Sequence, residues 1–237
     1  MSSNSENSAA EREALPQCGR CHKAEVFCVC GSIEQIKSRT ALLVLQHPQE
    51  QDKALGTARL TALHFEDAVL KIGLSWPSLS KALGRPVHDP SRWAVLYLGS
   101  VRADRFNADR AIVAIDRNGQ MKTDQRAALA DIEGVVLLDG TWSQAKALWW
   151  RNPWMLKCQR VVLAPARASR YGKLRKEPRR DGLATIEAAA IMLAGLEDRP
   201  DIETTLLASF DRMLTKYQEA QAGMPELAPR PRRRRRR

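Results

Sequence analysis

The sequence predicts an α/β fold with a mostly parallel sheet, flanking helices and a small metal-binding knuckle ahead of it. Residues 41–47 read Ala-Leu-Leu-Val-Leu-Gln-His, a continuous apolar run of strand length that Pro48 stops, as expected of a buried strand with a loop at its carboxyl end. Further on, an apolar run at 135–138, a turn at Asp139-Gly140-Thr141, a helical stretch at 143–151 and a strand at 159–164 give the order that builds parallel sheets. Ligands of such sheets bind beyond the carboxyl ends of the strands. The third observation is the bunching of four of the five cysteines, Cys18, Cys21, Cys28 and Cys30, as C-x2-C-x6-C-x-C.

Taken in order, residues 1–14 are polar and aperiodic and are expected to stay disordered. The knuckle is placed at 15–38. Its four thiolates, with Gly19 and Gly31 beside the turns, can close around one tetrahedral Zn2+ with no open position, hence a structural metal. Other soft metals or two redox pairs fit the same residues. Cys158, among Leu156, Val161 and Val162, reads as a small buried hydrophobe. The main domain is expected over 39–222, with a helix at 56–64, strands at 68–72, 92–98 and 111–115, a helix at 124–131, and two closing helices at 185–196 and 202–222. The Pro/Arg composition of 223–237 predicts an unstructured tail.

Charge narrows the partners. The net charge is +11, of which the tail arginines Arg230 and Arg232 to Arg237 supply seven, leaving a mildly basic body. A basic tail suits a polyanion, because each cation placed near a phosphate releases counterions, and nucleic acid is the leading candidate. No run of about 18 apolar residues is present, which excludes a membrane-spanning helix. The first dozen residues lack the basic and apolar regions of a secretory signal, so a cytoplasmic location is expected.

Three stretches could carry chemistry. Thr141 and Gln144 stand at capping-box spacing, so a helix should begin just after Thr141, with Asp139 at the strand end beside its N–H groups. Gly140, without a Cβ, lets a ligand approach the backbone there. Trp142, Trp149, Trp150 and Trp154 fall within thirteen residues, Trp150 and Trp154 forming an i, i+4 pair if the helix runs past Pro153; most are expected in the core, with Trp142 nearest the ligand. The stretch from Ser169 to Arg180 holds six positive charges, one negative charge and Tyr171, the composition of a phosphate track. After it, Thr185 can cap the next helix and Glu187 sits in its first turn.

In these residues the chain resembles the DTW-domain family, the tRNA-uridine aminocarboxypropyltransferases. The D-x-T-W signature stands as Asp139-Gly140-Thr141-Trp142, followed by Ser169-x-Tyr171-x-x-Leu174-Arg175-x-Glu177-Pro178 and Leu183-x-Thr185-x-Glu187-Ala188. The cysteine pattern and His47-Pro48-x-Glu50…Thr57-Ala58-x-Leu60 match as well, so the resemblance covers residues 18–215. It departs at Leu96-Tyr97-Leu98-Gly99-Ser100, which lacks a proline common there, at Ala184, where Ser or Cys is common, and in the arginine tail.

The resemblance implies a SPOUT-like, knotted sheet and transfer of the 3-amino-3-carboxypropyl group of S-adenosylmethionine to N3 of a tRNA uridine, expected to be the variable-loop uridine, with release of 5′-methylthioadenosine. Asp139, Thr141 and Trp142 are then the catalytic candidates. Leu98, Gly99, Asp139, Gly140, Thr141, Trp142, Thr185 and Glu187 are the S-adenosylmethionine-binding ones. His47, Tyr171, Lys173, Arg175, Lys176, Arg179 and Arg180 are assigned to tRNA, and Cys18, Cys21, Cys28 and Cys30 to Zn2+. A SPOUT-like RNA methyltransferase or a non-catalytic zinc-knuckle RNA-binding protein are the alternatives. Oligomeric state is not legible in the sequence.

Overall fold

Apolar residues in the first strand alternate between two cores, which fixes the layering of the protein. The computed structural model describes residues 15–51, 53–96, 111–163, 169–172, 174 and 182–223. Among these, β1 (Ala41–Gln46), β2 (Val69–Ile72), β3 (Trp93–Leu96), β4 (Ile112–Ile115), β5 (Gly134–Asp139) and β6 (Gln159–Leu163) form one sheet in the order β2-β1-β5-β3-β6-β4. All neighbours pair parallel except β4, which runs antiparallel to β6 at the edge. Flanking it are α1 (Ala58–Leu63), α2 (Leu79–Leu83), α3 (Gln125–Ala130), α4 (Trp142–Arg151), α5 (Thr185–Glu197) and α6 (Pro200–Gly223).

Leu42 and Val44 of β1, with Val135 and Leu137 of β5, face a core built with α1, α5 and α6. Leu43 and Leu45, with Val136 and Val95, face a second core holding α2, Trp154 and Met155. A strand buried on both faces reads as an unbroken apolar run because neither face has water to meet. The same alternation places Gln46 and Asp139 on the α5 side, and they are register partners at the carboxyl ends of β1 and β5.

Each predicted strand and helix is present, most with ends shifted by a residue or two; Tyr97 and Leu98, predicted to end the third strand, and Ala164, predicted to end the last, lie outside the described residues. The short α2 was not predicted. Five residues cannot display a helical period, although Ser78 caps it by accepting from Lys81 N at 3.2 Å and Leu79, Ala82 and Leu83 are buried. α4 stops at Arg151, so Trp150 and Trp154 do not stack as a helical pair: Trp150 is 78% exposed, whereas Trp154 is buried with Nε1 donating to the Trp76 carbonyl at 3.1 Å. Cys158 is buried as predicted, with its pKa pushed up to about 12 by burial. The cysteine knuckle packs on α6, where the Phe27 and Tyr217 rings lie 5.1 Å apart and Lys216 Nζ donates to the Cys28 carbonyl at 2.7 Å. No helix among the described residues is long and apolar enough to cross a membrane.

Candidate active site

Asp139 ends β5 at the centre of the sheet, 8% exposed. Its Oδ2 accepts from Gln46 Nε2 at 2.8 Å and its Oδ1 from the Thr185 hydroxyl at the start of α5. The backbone carbonyl of Asp139 accepts from His47 N at 2.9 Å, which fixes where the chain leaves β1. The side chain is thus a buried carboxylate gripped by two side chains at the carboxyl ends of two central strands, where an open parallel sheet presents its ligand crevice.

The capping box predicted for α4 is present. Thr141 N donates to Gln144 Oε1 at 2.6 Å and Gln144 N to Thr141 Oγ1 at 3.4 Å. Gly140 is required by that box as much as by any ligand, because a Cβ there would stand 2.8 Å from Gln144 Cβ. Trp142 is half-buried with Lys146 over its ring, 5.4 Å from the centroid. Gln144 Nε2 also reaches the β1–α1 loop, donating to Gln49 Oε1 at 3.1 Å. In that loop His47 is half-buried and caps a short turn, its Nδ1 accepting from Gln49 N at 3.2 Å.

Three of the predicted contacts have protein partners in the structure. Tyr171, assigned to tRNA, is 2% exposed; its ring packs edge-on against Phe210 and its hydroxyl donates to the Leu55 carbonyl at 2.6 Å. Glu187, assigned to S-adenosylmethionine, is 4% exposed and accepts from the Ser169 hydroxyl at 2.6 Å, Arg170 N at 2.8 Å and Ala184 N at 2.7 Å. Both side chains spend their polar groups holding loops. Thr185 does not cap α5: Ala184 occupies the cap position, and the Thr185 hydroxyl turns to Asp139. Leu98, Gly99, Lys173, Arg175, Lys176, Arg179 and Arg180 lie outside the described residues. Of the basic stretch, Arg170 pairs with Asp211 of α6.

The sulfur atoms of Cys18, Cys21, Cys28 and Cys30 all lie within 4.8 Å of one another. Thiolates about 2.3 Å from a tetrahedral metal sit roughly 4 Å apart, so the four fit one ion. Backbone N–H groups of Cys21 and Arg20 lower the Cys18 pKa to about 6, while burial raises those of Cys21 and Cys30.

The DTW domain matches residues 15–218. The chain belongs to the DTW domain family. It is 30% identical over 199 residues to tRNA-uridine aminocarboxypropyltransferase 2 of Mus musculus, which covers 82% of this chain and 61% of that protein. The protein of the same name from Drosophila melanogaster is 30% identical over 209 residues, 85% of this chain and 74% of its own length. The Macaca fascicularis relative is likewise 30% identical, and the chain spans 60% of its length. No solved structure matches the chain.

Within this DTW domain two polar residues escaped the sequence reading. Gln46 looks like the polar end of a strand until the register sets it beside Asp139. Lys23, between two cysteines of the knuckle, is 9% exposed and lies near enough to Asp139, Cys21 and Cys30 to feel their charges. Burial lowers its pKa to about 8 against the pull of those three groups. No local signal marks either residue, since each acquires its role from a strand or loop distant in sequence.

Proposed function

We propose that this protein is a tRNA-uridine aminocarboxypropyltransferase. The observation that carries the reading is the buried Asp139 of the D-x-T-W motif, aligned between Gln46 and Thr185 at the carboxyl ends of β1 and β5. The mouse, macaque and fly relatives, each named tRNA-uridine aminocarboxypropyltransferase 2, support it.

In the proposed reaction uridine N3 forms a bond to Cγ of the aminocarboxypropyl chain of S-adenosylmethionine as the Cγ–S bond breaks and neutral 5′-methylthioadenosine leaves. N3–H is a weak acid, and Asp139 takes or shares its proton as the bond forms, a general-base role. Gln46 and Thr185 orient that carboxylate. Thr141 and Gln144 fix the start of α4, whose positive end suits the carboxylate of the transferred group. Trp142, half-buried beside it, offers an aromatic face to the uracil or adenine ring. The orientation that presents Cγ rather than the methyl is the core of specificity.

The four cysteines would hold Zn2+, which in this closed thiolate set supplies folding energy to the knuckle. The basic residues Lys173, Arg175, Lys176, Arg179 and Arg180, together with the arginine tail, are assigned to the tRNA backbone. A SPOUT-like, knotted connectivity belongs to the same proposal; the late insertion of β5 between β1 and β3 and of β6 between β3 and β4 is compatible with it. The proposed organisation is a knuckle at 15–38, a catalytic domain at 39–222 and terminal segments outside both, acting in the cytoplasm.

Mass spectrometry of nucleosides from unmodified tRNA incubated with the protein and S-adenosylmethionine tests the reading. The expected result is a uridine carrying an aminocarboxypropyl group, mapped to the variable loop, with methylthioadenosine as by-product. A methylated base with S-adenosylhomocysteine would replace this reading with methyl transfer, and tight tRNA binding without any product would leave a binding protein.

A further inference from the structure

The β1–α1 loop is anchored from four separate directions. Gln144 Nε2 at the start of α4 donates to Gln49, and Tyr171 of the 169–172 segment donates its hydroxyl to the Leu55 carbonyl. Ile186 N of α5 donates to Thr57 Oγ1 at 3.3 Å. The fourth anchor comes from the knuckle: Lys23 Nζ donates to the Ala54 carbonyl at 2.6 Å and to the Lys53 carbonyl at 3.4 Å. The loop begins at His47, whose amide is bonded to the Asp139 carbonyl, so anything that fixes the loop also fixes the exit of β1 beside the candidate general base.

Lys23 is unusual among these anchors because it carries a charge into a nearly closed space. A lysine removed from water needs acceptors and opposite charge close by. Its acceptors are the two loop carbonyls, and its own backbone carbonyl accepts from Cys18 N at 2.8 Å, so the residue is bonded to the knuckle at one end and to the loop at the other. Four thiolates around a divalent ion keep a net negative charge, so a loaded cysteine cluster adds a counter-charge for this ammonium.

We propose that Lys23 is a positioning residue that couples the cysteine knuckle to the β1–α1 loop beside Asp139, so that metal loading sets the order of that loop. It deepens the transferase reading by giving the knuckle a task at the active site. The catalytic consequence rests on that reading; the local order of the loop does not.

Hydrogen exchange on the full chain tests it. In Lys23→Met, amides of residues 49–51 and 53–56 should exchange at least about tenfold faster, while β1 and β5 keep their protection and one metal per chain is retained by elemental analysis. Removing the metal from the unsubstituted protein with a chelator should loosen the same loop amides. Under saturating tRNA, kcat should fall about tenfold in Lys23→Met with the Kd for tRNA unchanged, and Lys23→Arg, which can still donate to both carbonyls, should recover most of it. Loop amides that stay protected after chelation, or that open only together with β1 and β5, would overturn the proposal. The chelation result stands whether or not Lys23→Met folds, and a loosened loop in a protein that makes no modified uridine would retire the transferase reading while leaving the coupling intact.

Discussion

Asp139 and Glu187 are both buried carboxylates on the α5 side of the sheet, but they are held by different kinds of donor. Glu187 accepts from two backbone N–H groups, Arg170 and Ala184, and from the Ser169 hydroxyl. Asp139 accepts only from the ends of two side chains, Gln46 and Thr185, among its described partners. A carboxylate bonded to backbone cannot release its donors without moving the chain. One bonded to side-chain termini can exchange them for a substrate through rotamer changes alone. The first arrangement closes a loop, and the second suits the proton transfer proposed for Asp139.

The largest effect should come from Asp139→Asn, which keeps the shape and removes the base. Uridine modification under single-turnover conditions should fall about 10²–10⁴-fold, the range for loss of a general base, with tRNA affinity unchanged. A near-normal rate in this variant would break the comparison at its first term, since Asp139 would then be as structural as Glu187.

Glu187→Ala should act on stability instead. It strands two N–H donors, that of Ala184 buried and that of Arg170 partly so, and a hydroxyl, and we expect a loss of roughly 2–4 kcal/mol by urea denaturation. If stability is unchanged and S-adenosylmethionine binding is lost, Glu187 belongs to the ligand site after all.

Why one of these residues was legible in the sequence and the other was not has a physical explanation. Asp139 stands at the junction of an apolar strand and a capping box, two local signals that together place it at a strand end facing a helix start. The capping Gln144 and the helix it opens follow the same local rule. Glu187 sends an equally local signal, an acid in the first turn of a helix, which is satisfied in the structure by Ala184 N. Its other partners come from a segment 17 and 18 residues earlier, a distance at which sequence spacing carries no information. The burial of Tyr171 is nonlocal in the same way: a basic neighbourhood suggests a tRNA contact, whereas Phe210 and the Leu55 carbonyl, both distant in sequence, hold the ring inside. Strand order is likewise nonlocal, so the pairing of Gln46 with Asp139 emerges only once β5 has inserted beside β1.

Thr185 sharpens the contrast at intermediate scale. Thr185→Val removes the hydroxyl bonded to Asp139 while preserving volume, and should slow transfer about tenfold with a stability cost near 1 kcal/mol. Thr185→Ser should restore the rate, which a purely steric role of the side chain would not allow. Equal rates for Val and Thr would mean that Gln46 alone orients the carboxylate.

His64 extends the series to a buried titratable group with neither kind of anchor. It is wholly buried at the end of α1, and neither ring nitrogen makes a well-formed hydrogen bond to a described residue. Burial pushes its pKa down to about 4, with the Glu34 backbone opposing and Arg212 assisting. The folded state therefore favours the neutral ring, and below about pH 6.5 the unfolded chain binds a proton that the folded one refuses. Its contribution is complete above pH 6.5 and is lost as pH falls toward 4, at no more than about 1.4 kcal/mol per pH unit. His64→Leu, followed by denaturant titrations at several pH values, should flatten the stability profile across that window. A slope that persists in the variant must come from carboxylates, Glu197 foremost: although burial raises its pKa, bonds from Ser38 and Thr40 outweigh that and lower it, so its contribution also fades as acid is added.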